Sequence, residues 1–382
     1  MASEQRHPRV VLACDFLLRY AAGLAGGVAQ SGCATVLLTR SHGGEFGGDA
    51  EAMRAYVWRA LGDRARHLEL AGRPSQLSAL PAAWRVRRSV RRFGPEVVHL
   101  QAGILNDPRL LAVAGARPGR YALTIHDPAP HPGAPGRSST RRQIQRRGLI
   151  GQAGVIFVHA EALREELIAR HRPRAPVVVV PHGVEAPSAA PLPDRPALLF
   201  FGRITPYKGL DTLLDAMPEV WRQAPEVCLT VAGKGELPEH PVLEDRRVEL
   251  RGEHIPEHEV PDLYARASCV VLPYRQASQS GVGSLARQYG RALVTTAVGG
   301  LPELVTADSG RVVAPEDPAA LAAAMLEVVM TPGLAEAMGR AAAATVVDEA
   351  GWAYVGELTR EAYQRHLLRG RAEADSARSR SS

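Results

Sequence analysis

One turn in this chain places two cations and two glycines between an apolar strand and an amphipathic helix: Phe201-Gly202-Arg203-Ile204-Thr205-Pro206-Tyr207-Lys208-Gly209. Of the 46 lysine and arginine residues only two are lysine, Lys208 and Lys234. Against that arginine background, a lysine in a glycine-flanked turn suits a compact point charge on a phosphate. Lys234, in Gly233-Lys234-Gly235-Glu236, fits an ordinary surface position equally well. Downstream, Ser278-Gln279-Ser280-Gly281-Val282-Gly283 runs into a helix. Such a start offers unpaired amides and the positive end of a helix dipole, glycine lets an oxyanion approach closely, and the side chains add donors. Plain helix capping is the other use of those serines. Gly202, Arg203, Lys208, Gly233, Ser278, Gln279, Ser280, Gly281 and Val282 are therefore the candidate pyrophosphate site, and Ile255, in the loop after the apolar run Val248–Arg251, is a further candidate for ligand contact. A second group, His126-Asp127, stands at a strand end, where an imidazole can serve a sugar hydroxyl or make only a local hydrogen bond.

The elements that must hold these residues alternate along the chain. Apolar runs at Val10–Ala13, Thr35–Leu38, Val97–Leu100, Tyr121–Ile125, Val155–Val158 and Val177–Val180 are separated by helical stretches. A second series follows at Ala197–Phe201, Val227–Val231, Val248–Arg251, Cys269–Leu272, Ala292–Thr295 and Arg311–Val313. Runs of this length, rich in β-branched residues, suit parallel sheets covered on both faces. The proline-rich segment 187–196 reads as a linker. The organisation expected is an α/β chain with a first Rossmann-like domain over 1–186, a linker over 187–196 and a second over 197–350. A C-terminal helical stretch over 351–370 and a disordered Ser/Arg-rich tail over 371–382 complete it. Two doubly wound units in one chain bind ligands in the crevice at the carboxyl ends of their strands.

Bulk properties narrow the partners. At 382 residues the chain exceeds one ordinary core, and 46% hydrophobic content is globular. No segment is long and apolar enough to span a bilayer, and the N-terminus lacks a signal-peptide core, which points to the cytoplasm. The four cysteines are isolated, without metal-binding spacing. A net charge of +6 favours anionic partners. Nucleic acid is disfavoured, because the basic stretches lack interleaved aromatics and aromatics are only 5% of the chain. The basic stretches are Trp84–Phe93, with Leu80, Trp84 and Val90 near one helical face and expected to pack on the sheet, and Arg137–Arg147. Basic amphipathic helices also lie on anionic membranes, so weak peripheral contact at the inner membrane face stays open. No Asp-x-Asp follows a strand to hold a divalent ion, so no metal or other cofactor is expected.

The second half resembles the nucleotide-sugar-binding domain of glycosyltransferase family 4. The resemblance rests on Gly202-Arg203 with Lys208-Gly209, on Gly233–Glu236, on Val248–Gly252 leading to Leu263–Ala267, and on Gly299-Gly300-Leu301-Pro302-Glu303-Leu304-Val305. In the first half, Pro95–Gln101, Thr124-Ile125-His126-Asp127 and Pro181–Glu185 are similar to family strand ends. The resemblance implies a GT-B fold, two Rossmann-like doubly wound domains facing a central cleft, and retaining transfer of a sugar from a UDP- or GDP-sugar to a hydroxyl acceptor. It implies catalytic roles for His126, Arg203 and Lys208, and acceptor contacts from Arg19, His99, Gln101 and Asp127. The acceptor would be a small molecule, a lipid-linked species or a glycan.

Two departures stand out. The glycine-rich loop usual after the first strand is replaced by Asp15–Tyr20, where Arg19 is a candidate substitute for the missing amides. The paired glutamates of the family fall, by alignment on Gly290, at Ala277 and Leu285. A nucleotide-sugar-binding subunit without catalysis and a GT-B-type epimerase are therefore the rival readings. With no convincing carboxylate nucleophile beside the anomeric carbon, front-face transfer is favoured over double displacement.

Overall fold

The computed structural model describes residues 8–40, 44–46, 49–72, 80–101, 108–129 and 140–368. The expected disordered tail at 371–382 and residues 137–139 of the basic stretch 137–147 lie outside them, while the rest of that stretch is helical. The described residues divide into two compact units, one formed by those up to 183 together with 352–368, the other by 184–351.

The first unit is built on a seven-stranded parallel sheet. Its strands are β1 (Arg9–Ala13), β2 (Ala34–Arg40), β3 (Ala65–Leu70), β4 (Val97–Gln101), β5 (Tyr121–Thr124), β6 (Val155–Val158) and β7 (Val177–Val179), in the order β3-β2-β1-β4-β5-β6-β7. Strand pleating sends alternate residues to opposite faces. Val10 and Leu12 enter one apolar cluster and Val11 and Ala13 another, so both faces are covered. β3 is the strand that the apolar-run criterion passes over: Ala-Arg-His-Leu-Glu-Leu alternates, and it sits at the sheet edge. The helix Leu18–Gln30 crosses the helix Trp352–Tyr363 at glycines. A Cβ on Gly27 would enter the Trp352 carbonyl, and one on Gly356 would enter the Gly27 backbone. Gly26 and Gly27 are thus close-packing residues of that helix.

The second unit carries a six-stranded parallel sheet of β8 (Ala197–Phe201), β9 (Cys228–Ala232), β10 (Val248–Arg251), β11 (Cys269–Leu272), β12 (Ala292–Thr296) and β13 (Gly310–Val313), ordered β10-β9-β8-β11-β12-β13. Segment 187–196 belongs to this unit. The Ser188 amide donates to the Gln288 carbonyl at 2.9 Å, and the buried Arg291 guanidinium donates to the carbonyls of Ala190 and Pro191 at 2.8 and 3.2 Å. In both sheets the chain reverses direction beside the first strand of the unit, the switch point at which open α/β sheets bind ligands.

The basic helix Leu80–Phe93 corrects one expectation. Its packing stripe is Ala83, Val86, Val90 and Phe93, an i, i+3, i+7, i+10 series. Trp84 and Leu80 fall off that stripe and are exposed, with the Arg88 guanidinium 5.5 Å from the Trp84 ring centre. Among the described residues no single helix is long and apolar enough to cross a membrane.

Candidate functional site

The second unit gathers its chemistry where β8 and β11 end. At the end of β8 the chain turns through Gly202, whose φ of 106° an L side chain rarely adopts. The Gly202 amide donates to Ala232 and the Ile204 amide to Lys234, at 2.9 and 3.0 Å, so two backbone segments run in contact. Gly233 and Gly235 permit this: a Cβ on either would enter the facing carbonyl, of Gly202 or Ile204. Lys234 itself points outward and is exposed, so the glycines beside it carry the function of that loop. A short 3₁₀ turn over Pro206–Lys208 and a left-handed Gly209 then start the helix Leu210–Gln223. This folds Lys208 back over the strand end. A Cβ on Gly202 would lie 2.8 Å from Lys208 Nζ and 3.2 Å from Val282 Cγ2. The two motifs, 74 positions apart from Lys208 to Val282, therefore meet at one glycine surface.

Lys208 is 8% exposed, and its ammonium lies 5.1 Å from the centre of the Tyr274 ring. That cation–π contact offsets part of the cost of burial. Among the described residues no carboxylate pairs with it. The nearest acid in sequence, Asp211, pairs with Arg275 at 2.6 Å, and Arg275 also meets Glu316 at 3.1 Å. Arg203 is exposed beside it.

The Ser278–Gly283 run forms the start of the helix Gly281–Gln288. Ser280 is its N-cap: the hydroxyl accepts from the Gly283 amide at 3.3 Å and stands 3.4 Å from the Tyr274 hydroxyl. The Ser280 side chain thus serves as the cap that the sequence also allowed. The amides of Gly281 and Val282, at the first two helical positions, have no intrahelical acceptor. Gly281 is exposed, with open space where a Cβ would stand. The Gly300 amide holds the Ser278 carbonyl at 2.9 Å, and the left-handed Gly299 lies against Ala277 too closely for any side chain. Ser278 is buried and Gln279 half-buried. Ala277 and Leu285, at the expected glutamate positions, both pack on the apolar cluster that includes Ile255, Tyr264 and Leu293.

In the first unit the strand ends converge on a histidine cluster. His99, His126 and His159 are buried and His182 is half-buried, and Tyr20 touches three of their rings with centroid separations of 4.7–5.0 Å. His126 Nε2 lies 3.0 Å from Gln101 Oε1 and its Nδ1 3.1 Å from His159 Nε2, while His159 Nδ1 lies 3.0 Å from the Val180 carbonyl. His99 Nδ1 meets the Tyr363 hydroxyl at 2.5 Å and its Nε2 the Thr124 hydroxyl at 2.7 Å. Burial pulls His99 and His159 down to about 3 and His182 to about 4, and holds His126 well below the usual imidazole range, with His159 and His182 adding to the effect. All four are neutral rings at pH 7. His99 and Gln101 were expected to meet an acceptor. Both are almost wholly buried, and both nitrogens of His99 are satisfied inside the core, so its place is structural. Asp127 is half-buried, and its carbonyl accepts from Arg146.

Known proteins fit this geometry. Residues 18–186 match the model described as Glycosyltransferase Family 4, and residues 195–331 match the one described as Glycosyl transferases group 1. The chain belongs to glycosyltransferase family 4. Among its relatives, a glycogen synthase of Mycobacterium tuberculosis is 29% identical over 291 residues, covering 72% of this chain and 69% of the relative. A GDP-mannose-dependent phosphatidylinositol monomannoside mannosyltransferase of Mycolicibacterium smegmatis is 29% identical over 270 residues, covering 62% and 67%. Anabaena HepE, solved in complex with UDP-glucose, superposes with a TM-score of 0.68 at 15% identity over 94% of this chain and 100% of that one. The two Rossmann-like units are those of the GT-B fold, and the protein is a glycosyltransferase that uses a nucleotide sugar.

This glycosyltransferase replaces the usual glycine-rich loop after β1 with an internal acid. Leu17, at φ 58°, precedes the helix Leu18–Gln30 and offers no side-chain cap. Glu45 supplies one, its carboxylate taking the Arg19 amide at 3.2 Å and also the amides of Leu17 and Leu18. Burial raises the Glu45 carboxyl, an effect those amides and the Arg19 charge oppose. The Arg19 guanidinium stacks on Phe46 and Tyr56, at 4.8 and 5.5 Å from the ring centres. Glu45 and His159 were not singled out from the sequence. The replacement of the glycine loop was the one signal that some other group must serve the helix start.

Proposed function

We propose that the protein is a retaining, metal-independent glycosyltransferase whose second unit holds the diphosphate of a UDP- or GDP-sugar. The observation that carries this reading is Lys208, a buried ammonium set against a glycine surface, with no carboxylate partner among the described residues. Lys208 takes one phosphate and Arg203 the other, and the amides of Gly281 and Val282 add the dipole of their helix. As the bond to the anomeric carbon breaks, negative charge grows on the leaving diphosphate. Fixed donors aimed at that charge are each worth about 3 kcal/mol of barrier. The cations take the part that a divalent ion plays in other transferases.

The positions expected to carry glutamates are Ala277 and Leu285, packed in apolar surroundings. No side-chain carboxylate there serves the sugar. Transfer is read as front-face: the leaving phosphate oxygen accepts the acceptor's hydroxyl proton while the new bond forms on the same face. His126 and Asp127 belong to the acceptor side of the reaction. HepE, solved with UDP-glucose, and the relatives named above, one of them GDP-mannose-dependent, support a nucleotide-sugar donor of either base. The acceptor is a hydroxyl of a small polar molecule, a lipid-linked species or a glycan. Exposed Trp84 with Arg88 supports weak peripheral contact with an anionic membrane for a cytoplasmic protein.

The test is a panel of UDP- and GDP-sugars scored for slow donor hydrolysis and for thermal stabilisation. Hydrolysis of one donor, with stabilisation by the matching nucleoside diphosphate, is expected. Binding without any hydrolysis over days would favour a non-catalytic binding subunit, and release of nucleotide with an altered free sugar would favour an epimerase.

A further inference from the structure

Three polar groups in the first unit form a chain whose hydrogen positions are dictated by its far end. A carbonyl only accepts, so His159 Nδ1, 3.0 Å from the Val180 oxygen, carries a hydrogen. The ring is neutral, so His159 Nε2 is a lone pair. His126 Nδ1, 3.1 Å from it, must then donate, which leaves His126 Nε2 as a second lone pair. That nitrogen faces Gln101 Oε1 at 3.0 Å, and two acceptors cannot share a hydrogen bond. The other end of the same amide, Gln101 Nε2, is buried with no partner among the described residues. A half-turn of the amide resolves both faults at once: Nε2 donates to His126, and the orphaned donor disappears. The two ends of an amide have the same shape, so the hydrogen-bond network decides between them.

We infer that His159 is a positioning residue that fixes His126 as its Nδ1–H tautomer and so presents the Nε2 lone pair, an acceptor, toward Gln101. The inference rests on the reading of His126 as a group on the acceptor side. It adds that the imidazole accepts at Nε2, from the Gln101 amide, and donates only to His159. The groups facing His126 are the Tyr20 ring edge-on from the helix Leu18–Gln30, Gln101 from β4, His159 beyond β6 and His182 beyond β7, with Asp127 next in sequence. Tyr20 packs against His126, His159 and His182 together, which restrains the rings from flipping and so keeps each nitrogen on its partner. The sequence Val158-His159-Ala160 places that ring at a strand end, where it reaches two neighbours in the sheet.

Long-range proton–nitrogen correlation spectra of the ¹⁵N-labelled full-length protein at pH 7.5, with assignments from single histidine variants, read the tautomers directly. His126 and His159 are both expected as Nδ1–H. In His159→Phe the acceptor for His126 is gone, so His126 should convert to Nε2–H; in His159→Gln a side-chain oxygen can accept, and Nδ1–H should return. Donor hydrolysis, measured with whichever of UDP-glucose and GDP-mannose is turned over, should fall at least ten-fold in kcat for His159→Phe at an unchanged donor KM, and recover in His159→Gln. An Nε2–H His126 in the wild-type protein overturns the inference, whether or not the variants fold. So does a wild-type kcat in His159→Phe after its tautomer has switched. The spectra need no substrate, so a failure of the donor assignment is read separately, in the nucleotide-binding measurements.

Discussion

The histidine cluster of the first unit and the lysine turn of the second are both buried polar sites, but they are finished differently. In the first, rings that would take up a proton near pH 6.5 in water are held neutral well below it, and His99, His126 and His159 have both nitrogens in use within the fold. In the second, the ammonium of Lys208 is buried beside a glycine and a tyrosine ring, while the acid next to it in sequence, Asp211, pairs with Arg275. Burying an unpartnered charge costs free energy that a neutral hydrogen-bonded network avoids. A fold keeps such a charge where an outside anion completes it. The comparison separates a cluster satisfied within the fold from a turn whose charge has no carboxylate partner among the described residues.

The largest effect that could break this contrast is acid unfolding. An imidazole held at about 3 or 4 in the fold and near 6.5 when unfolded stabilises the protein fully above about pH 6.5. That contribution is lost as pH falls toward the folded value, because the unfolded chain takes up the proton first; each histidine loses about 1.4 kcal/mol per pH unit. The three rings together lose about 10 kcal/mol by pH 4, comparable with the roughly 5–15 kcal/mol that holds an ordinary unit folded. The second unit's His240, His254 and His258 lie outside its core. Segment-resolved hydrogen exchange between pH 7 and 4 should therefore show opening first along β1, β4, β5 and β6. Simultaneous opening of β8, β9 and β11 would remove the distinction.

Next in size, Gly202→Ala puts a Cβ 2.8 Å from Lys208 Nζ at a φ of 106°. Strain of about 1–3 kcal/mol and at least a ten-fold weaker UDP or GDP affinity are expected, measured by chemical denaturation and calorimetry. Glu45→Ala removes the cap of the helix Leu18–Gln30 and should cost about 1 kcal/mol of stability, with nucleotide affinity unchanged. Loss of nucleotide binding in that variant would tie the first unit to the donor. The smallest change is assigned to Arg203→Ala: as an exposed cation it should weaken nucleotide binding by less than ten-fold, and the effect should fade as salt is raised.

Legibility in the sequence followed distance along the chain. The central strands were readable because buried parallel strands are short β-branched runs, and the lysine turn because glycine, proline and lysine fall within eight residues. β3 was not, since an edge strand alternates as Arg66, His67, Leu68 and Glu69 do. The 187–196 segment looked like a free linker because its anchor, Arg291, lies a hundred positions away. The Gln101–His126–His159–Val180 chain was invisible for the same reason: each member sits at a different strand end, and only the sheet order β4-β5-β6-β7 brings them together. Ser280 carried two valid local readings, cap and ligand donor, and the structure shows the cap.

The central claim, that Lys208 is a buried charge kept for an anion, is tested most directly by replacing it with a neutral side chain of similar length. Lys208→Met should be at least as stable as the wild-type protein without ligand, because the uncompensated charge is gone, and it should lose the stabilisation by UDP and GDP seen in the parent. A variant that is clearly destabilised without ligand, and still binds the nucleotide with wild-type affinity by calorimetry, would contradict the account.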